Sequence, residues 1–284
     1  MDNIEKMSDV VDEMNHYLRN TLRHSKKKLW ENTYIKHQID NREQGREFSL
    51  EDHIRGMVYS MLSSGITWER VESGIDENTG RILPVDEIFH QYEPDYLLNC
   101  TPEFLTNKIK EIHCGSQSTK KQMIALIRIN IPKLQKIKDE FGSIDGCFNE
   151  IIKEDDTKKT LVKKLSTSSS ELKMSEMGEA LIAEYLRNVG YDMAKPDRHI
   201  RRILGKDVLG CSEHSIVPIY EAMDIIREIS EYSEKYQAEI DYILWSYCAK
   251  GYGEVCTKRT PHCEICPVPQ IMNCKGEKIC QKTN

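Results

Sequence analysis

Apolar positions along this chain recur at three- and four-residue steps, the spacing that lines one face of a helix. Ile54, Met57, Val58, Met61 and Leu62 form such a stripe over 48–64, opened by Ser49 as N-cap with Asp52 three residues on. Thr101-Pro102-Glu103 reads as a second opening, a cap followed by proline in the first turn, with Phe104, Leu105, Ile109 and Ile112 as its buried stripe. A further helix is predicted from about Ser118 through Met123, Ile124 and Ile127, interrupted at Pro132, resuming through Leu134 and Ile137 and ending at Gly142. Segments 157–166, 178–189, 198–204, 215–230 and 236–249 complete the set. Alternating strand-like runs are missing apart from a short candidate near 66–85, so the expected fold class is all-α.

Composition narrows the picture. The 284 residues contain 30% charged and 39% hydrophobic positions, which excludes low-complexity and wholly disordered chains. No apolar window is long enough to span a bilayer, and the first residues carry no secretory h-region, so a cytoplasmic protein without membrane contact is expected. The net charge of −6 does not advertise a nucleic-acid partner. Phosphates respond to local patches, however, and between Lys158 and Lys206 eleven basic residues face six acidic ones.

Cysteine placement carries more chemistry. Six of the ten cysteines lie between Cys248 and Cys280, a crowding that in a cytosolic chain points to metal ligation. Cys256, Cys263, Cys266 and Cys274 are separated by six, two and seven residues and could surround zinc or hold a cubane cluster; spacing alone leaves both open. Upstream, Asp197 follows Pro196, a position from which it can cap a helix through Arg198, His199 and Arg202.

The run Trp245-Ser-Tyr-Cys-Ala-Lys-Gly251-Tyr-Gly-Glu-Val-Cys256, continuing to Cys263, resembles the cluster loop of endonuclease III and the adenine-mismatch glycosylases, members of the helix-hairpin-helix DNA glycosylase superfamily. That resemblance favours a [4Fe–4S] cluster over zinc, with Cys280 as a spare fourth ligand, and assigns Lys258 and Arg259 to DNA phosphate. Lys195-Pro-Asp197-Arg-His199-Ile200 is similar to the segment carrying the superfamily's essential aspartate, and the Leu-Arg-Asn-Val-Gly-Tyr run before it to 8-oxoguanine members. The resemblance therefore implies Asp197 as catalytic residue, with Lys195, Arg198 and His199 near DNA.

Met174-Ser175-Glu176-Met177-Gly178 occupies the place of the family's hairpin, which aims backbone N–H groups at a phosphate; Met177 and Gly178 are the implied contacts. Gly178 is retained and can adopt positive φ cheaply, and Glu176 replaces the first glycine. Two residues beyond Gly178, where strand-cutting members carry a lysine nucleophile, stands Ala180. Met61-Leu62-Ser63-Ser64-Gly65-Ile66-Thr67-Trp68 matches the segment that lines the base pocket, so Ser64, Ile66 and Trp68, with Tyr59 and Tyr185 as stacking faces, are the expected pocket or wedge residues.

Together the resemblance implies two helical domains with a DNA-binding cleft, a helix-hairpin-helix and a C-terminal cluster loop. The expected division is a central bundle at 50–189 and a second domain joining 1–49 to 190–284. The implied activity is a monofunctional glycosylase acting, as a monomer, on double-stranded DNA with a lesion or mismatch. The alternatives are a glycosylase/lyase with a displaced lysine (Lys173 or Lys195) and a non-catalytic metal-bearing DNA-binding module.

Overall fold

The computed structural model describes residues 3–65, 68–272 and 274. Among them no strand forms; one antiparallel bridge, Ile75 to Ile82, is all that the 66–85 stretch yields. The helices are α1 (Asn3–Leu22), α2 (Tyr34–Glu43), α3 (Leu50–Leu62), α4 (Glu69–Glu72), α5 (Leu83–Ile88), α6 (Pro94–Asn99), α7 (Pro102–Glu111), α8 (Thr119–Ala125), α9 (Ile131–Phe141), α10 (Ile144–Glu154), α11 (Lys159–Ser166), α12 (Glu179–Asn188), α13 (Arg198–Ile203), α14 (Ile219–Ser233) and α15 (Gln237–Cys248). None of them is long and apolar enough to cross a membrane. The chain divides into two compact units, one of Tyr34–Tyr191 and one joining Met1–Thr33 to Asp192–Asn284.

In the 34–191 unit, α3 is the central helix, with Ile54, Met57, Val58 and Met61 all fully buried. Its start is a complete capping box: Ser49 accepts from the Asp52 N–H while the Asp52 side chain accepts from Ser49 N. Small residues let α12 approach. A Cβ on Gly56 would lie 3.0 Å from Val189 Cγ1, and Ser60 Oγ donates to the Leu181 carbonyl at 2.5 Å. Asn188 Nδ2 donates to the Gly56 carbonyl at 3.0 Å, so the two helices are bonded as well as packed.

The sequence break at Pro132 takes a specific form. Rather than stopping, the helix widens into one π turn at Leu126–Asn130 between α8 and α9. Proline removes an N–H and crowds the preceding turn, and a π turn absorbs both without ending the element. α9 then ends at Gly142, whose φ is +77°.

A buried polar cluster ties the same unit together. Asp145 Oδ1 accepts from Arg42 Nη2 at 2.8 Å and lies 3.3 Å from His53 Nε2, while its Oδ2 accepts from Phe48 N at 3.0 Å. Burial pushes the His53 pKa down. Burial opposes ionisation of Asp145, but the contacts with His53 and Arg42 prevail and hold its pKa well below the usual carboxylate range. Gly190 follows with φ +81° and runs so close to α2 that a Cβ would sit 2.4 Å from the Gln38 carbonyl oxygen.

In the other unit, α1 lays Met7, Val10, Val11, Met14 and Leu18 against α14 and α15. α14 begins at Ile219, four residues later than the periodicity suggests, because Pro218 fixes its N-cap.

Candidate functional site

Two local constructions carry the candidate chemistry, one in each unit. The first is the turn ahead of α12. Met174 and Met177 bury their side chains completely, so Met177 can meet a ligand only through its backbone. Asn130, itself fully buried at the end of the π turn, clasps Ser175 from both sides: Ser175 N donates to Asn130 Oδ1 at 2.7 Å and Asn130 Nδ2 donates to the Ser175 carbonyl at 3.1 Å. Lys133 Nζ, one turn along, donates to the carbonyls of Glu171 (2.8 Å) and Lys173 (2.7 Å), and Lys173 Nζ to that of Met177 (2.6 Å). Positive φ falls on Glu176 (58°), whereas Gly178 is an ordinary extended N-cap with φ −84° and ψ 176°. Gly178 could adopt positive φ cheaply, yet the left-handed residue of this turn is the glutamate. Ala180 lies in the first turn of α12, half-buried, with no nucleophile to offer.

The pocket candidates separate. Tyr185 is fully buried, its hydroxyl 2.7 Å from His53 Nδ1 and its ring edge-on to Phe148. It presents no face to a base, a correction to the sequence reading. Tyr59 is likewise core, donating to Asp86 Oδ1 at 2.8 Å. Ser64 follows the end of α3 and Trp68 caps α4; both are half-buried. Ile66 lies outside the described residues.

The second construction surrounds Asp197. Its segment is fastened to α15 at two points: the Asp192 carboxylate caps that helix through Gln237 N (3.1 Å) and Ala238 N (2.9 Å), and Lys195 N donates to Asp241 Oδ1 at 2.8 Å. A three-residue turn at Pro196, with Asp197 N donating to the Lys195 carbonyl at 2.7 Å, then delivers Asp197 to the N-terminus of α13. Asp197 Oδ1 accepts from His199 N at 2.7 Å and Ile200 N at 3.2 Å. Oδ2 makes no hydrogen bond to any described residue, and the side chain is half-buried. One oxygen holds the carboxylate in place and the other is not held. Burial pushes His199 below its ordinary pKa against the pull of Asp197, and Arg198 is exposed.

The same short helix reaches the cysteines. Arg202 donates to the Cys256 carbonyl, to Cys248 Sγ (3.4 Å) and to Cys256 Sγ (3.8 Å), and the Tyr247 hydroxyl donates to Cys266 Sγ at 3.3 Å. A hydrogen bond from Cys248 and the Arg202 guanidinium outweigh burial and bring the Cys256 thiol down to about 6. Burial raises Cys266. Two of the four sulfurs thus receive hydrogen bonds, which is donor chemistry that suits thiolate ligation. Cys263 stands in a disulfide, Cys274 is half-buried, and Cys280 lies outside the described residues. No three His, Cys, Asp or Glu side chains among the described residues form a metal-holding group. Lys258 and Arg259 are exposed on a turn closed by Thr260 N donating to Thr257 Oγ1 at 3.2 Å.

The signal missed in the sequence was Asn130 and Lys133. An asparagine and a lysine flanking a mid-helix proline read as solvated positions, yet they hold a turn some 45 and 40 residues away.

No family model matches the chain, and no curated protein sequence matches it. Among solved structures it is similar to the Methanocaldococcus jannaschii 8-oxoguanine DNA glycosylase, with a TM-score of 0.53 and 18% identity over 87% of this chain and 96% of that one. It is also similar to the M. jannaschii 8-oxoguanine glycosylase/lyase in complex with a 15mer DNA containing 8-oxoguanine, with a TM-score of 0.50 and 19% identity over 83% and 96%. The likeness is one of fold: this chain has the all-α architecture of those glycosylases.

Proposed function

We propose that the protein is a DNA N-glycosylase that hydrolyses the bond between a damaged or mismatched base and its deoxyribose. The observation that carries this reading is the divided carboxylate of Asp197, with Oδ1 bonded to the α13 N-terminus and Oδ2 without a described partner. As the glycosidic C–N bond breaks, its electrons leave with the base and positive charge grows at C1′. Oδ2 stabilises that charge and takes a proton from the attacking water, whose oxygen bonds to C1′. Ala180, standing where strand-cutting relatives carry a lysine, supports a water-dependent enzyme without lyase activity. Duplexes carrying 8-oxoguanine, deaminated, alkylated or mismatched bases should release free base and leave the strand intact until alkali is added; a panel left untouched refutes the reading.

A second reading has one specific observation behind it. Burial lowers the pKa of the Lys173 amine, bringing an amine beside the turn closer to its nucleophilic form. Borohydride trapping of protein on cleaved DNA would identify a lyase, and its loss in Lys173→Gln would assign it.

A [4Fe–4S] cluster on Cys256, Cys263, Cys266 and Cys274 belongs to the same proposal. Arg202 and Tyr247 would supply hydrogen bonds to two of its sulfurs, and the group would shape the Lys258–Arg259 turn without taking part in base removal. Cluster and disulfide are exclusive fates of Cys263. Iron content and a brown colour in protein purified without oxygen support the cluster; an iron-free protein carrying the disulfide refutes it.

A further inference from the structure

α15 carries one carboxylate into the interior. Asp241, in the second turn of the helix, is only 2% exposed, on an element that also buries Ile240, Ile243 and Leu244. Its Oδ1 accepts from Lys195 N at 2.8 Å. The Lys195 carbonyl accepts from Asp197 N at 2.7 Å, and Asp197 Oδ1 accepts in turn from His199 N and Ile200 N. Hydrogen bonds therefore run unbroken from α15, through the backbone of one residue, to the N-terminus of α13. We infer that Asp241 is a positioning residue for base release, acting through Lys195 to fix where the Asp197 carboxylate stands. The inference rests on the glycosylase reading of Asp197.

The first argument is the choice of side chain. A buried carboxylate is an unfavourable occupant of a helix face that otherwise packs through isoleucine and leucine. An apolar residue of similar volume would serve the core at least as well. What it could not do is hold a backbone N–H, and an ionised acceptor holds one more firmly than a neutral acceptor does.

The second argument is where the bond falls. Lys195 is bonded at both its peptide groups, through N to Asp241 and through its carbonyl to Asp197 N. Pro196, between the two, has its φ fixed by its ring. Met193 and Ala194 are fully buried and Pro196 is buried as well, so the chain reaches the turn already packed. Few torsions are then left between the amide that Asp241 holds and the Asp197 side chain. Freeing that amide lets the turn pivot and carries the carboxylate with it.

The test uses the full-length protein and a lesion-bearing duplex from which the parent releases base. Single-turnover rates at saturating protein are measured beside duplex affinity by anisotropy, thermal melts, and amide exchange of peptides spanning 193–198. Asp241→Ala should slow base release about 10²-fold, the effect of misplacing a reacting group by about 1 Å, with duplex affinity unchanged and exchange at Lys195 N faster. Asp241→Leu fills the space without an acceptor and should be equally slow, which keeps the test open if the alanine variant melts too low to assay. Asp241→Asn retains an acceptor oxygen and should restore both rate and protection. Ile229→Val, a core truncation on α14, should lower Tm and release base at the parental rate.

A parental rate in Asp241→Ala or Asp241→Leu overturns the inference. So does an Asn variant as slow as Ala, since charge and not the bond would then be at work. Equal slowing in Ile229→Val overturns it too, by showing that the rate follows stability alone. A parent that releases no base from any duplex ends the glycosylase reading, and the inference with it; a parent that releases base no faster than Asp241→Ala ends the inference alone.

Discussion

Asp197 does two jobs that one substitution can separate. Its Oδ1 caps α13, and its Oδ2 is the proposed catalytic oxygen. Asparagine keeps a carbonyl oxygen that can accept from His199 N and Ile200 N, and it caps as well as aspartate; the loss at the helix dipole is about 0.3–1 kcal/mol. Alanine loses the same charge and the cap besides, a further cost of about 1 kcal/mol, or a further shift of roughly 2 °C in Tm for a chain of 284 residues. Losing the carboxylate's charge should slow base release about 10²–10⁴-fold in either variant, or about 2.7–5.4 kcal/mol of barrier. The assay is single-turnover base release from saturating duplex alongside thermal melts of the three proteins. A catalytic carboxylate makes Asn and Ala equally slow while only Ala melts clearly lower. If Asp197→Asn releases base at the parental rate, the residue is a cap and nothing more.

Three further outcomes follow from the 34–191 unit. Glu176→Gly removes a left-handed non-glycine residue and should raise Tm by about 2 °C, corresponding to about 1 kcal/mol, while tightening DNA binding; a lower Tm refutes the strain. Gly190→Ala places a Cβ 2.4 Å from the Gln38 oxygen at φ +81° and should cost at least about 2 kcal/mol, so a parental melting curve would contradict the geometry. His53 titrates below its unfolded value of 6.5, so as pH falls through 6.5 the unfolded chain takes up a proton the folded one refuses. Stability is therefore level above that pH and declines beneath it, and Asp145, depressed below 3.8, adds a second loss in stronger acid. Melts in buffers from pH 8 to 3 should show both steps, His53→Gln should shrink the upper one to the part His199 contributes, and stability rising between pH 7 and 5 would sink the assignment.

What the sequence made legible was local chemistry. Ser49 with Asp52, Thr101 with Pro102, and Asp197 before Arg198 all cap the helices expected of them, because a cap needs only its own next three residues. Tyr185 is core rather than pocket because periodicity places it on a helix but cannot tell the two apart; His53, 132 residues earlier, decides it. The turn at 174–178 was located correctly, but its bracing by Asn130 and Lys133 was invisible, since the π turn that aims them arises from how Pro132 is accommodated. Residue type makes Gly178 the cheapest place for a positive φ, whereas the backbone path puts it at Glu176. Pocket and bracing residues are fixed by tertiary neighbours, and a single sequence does not name those.

The unit that holds Asp197 is assembled from the two ends of the chain. The apolar stripe of α1 finds its cover on α14 and α15, which are translated some two hundred residues later. During synthesis the 34–191 segment can complete its own core while α1 still waits, its stripe bare to water or to a chaperone. A ribosome halted before residue 219 would thus release a finished domain bearing a sticky leader, and premature termination should yield aggregates rather than a weakened protein.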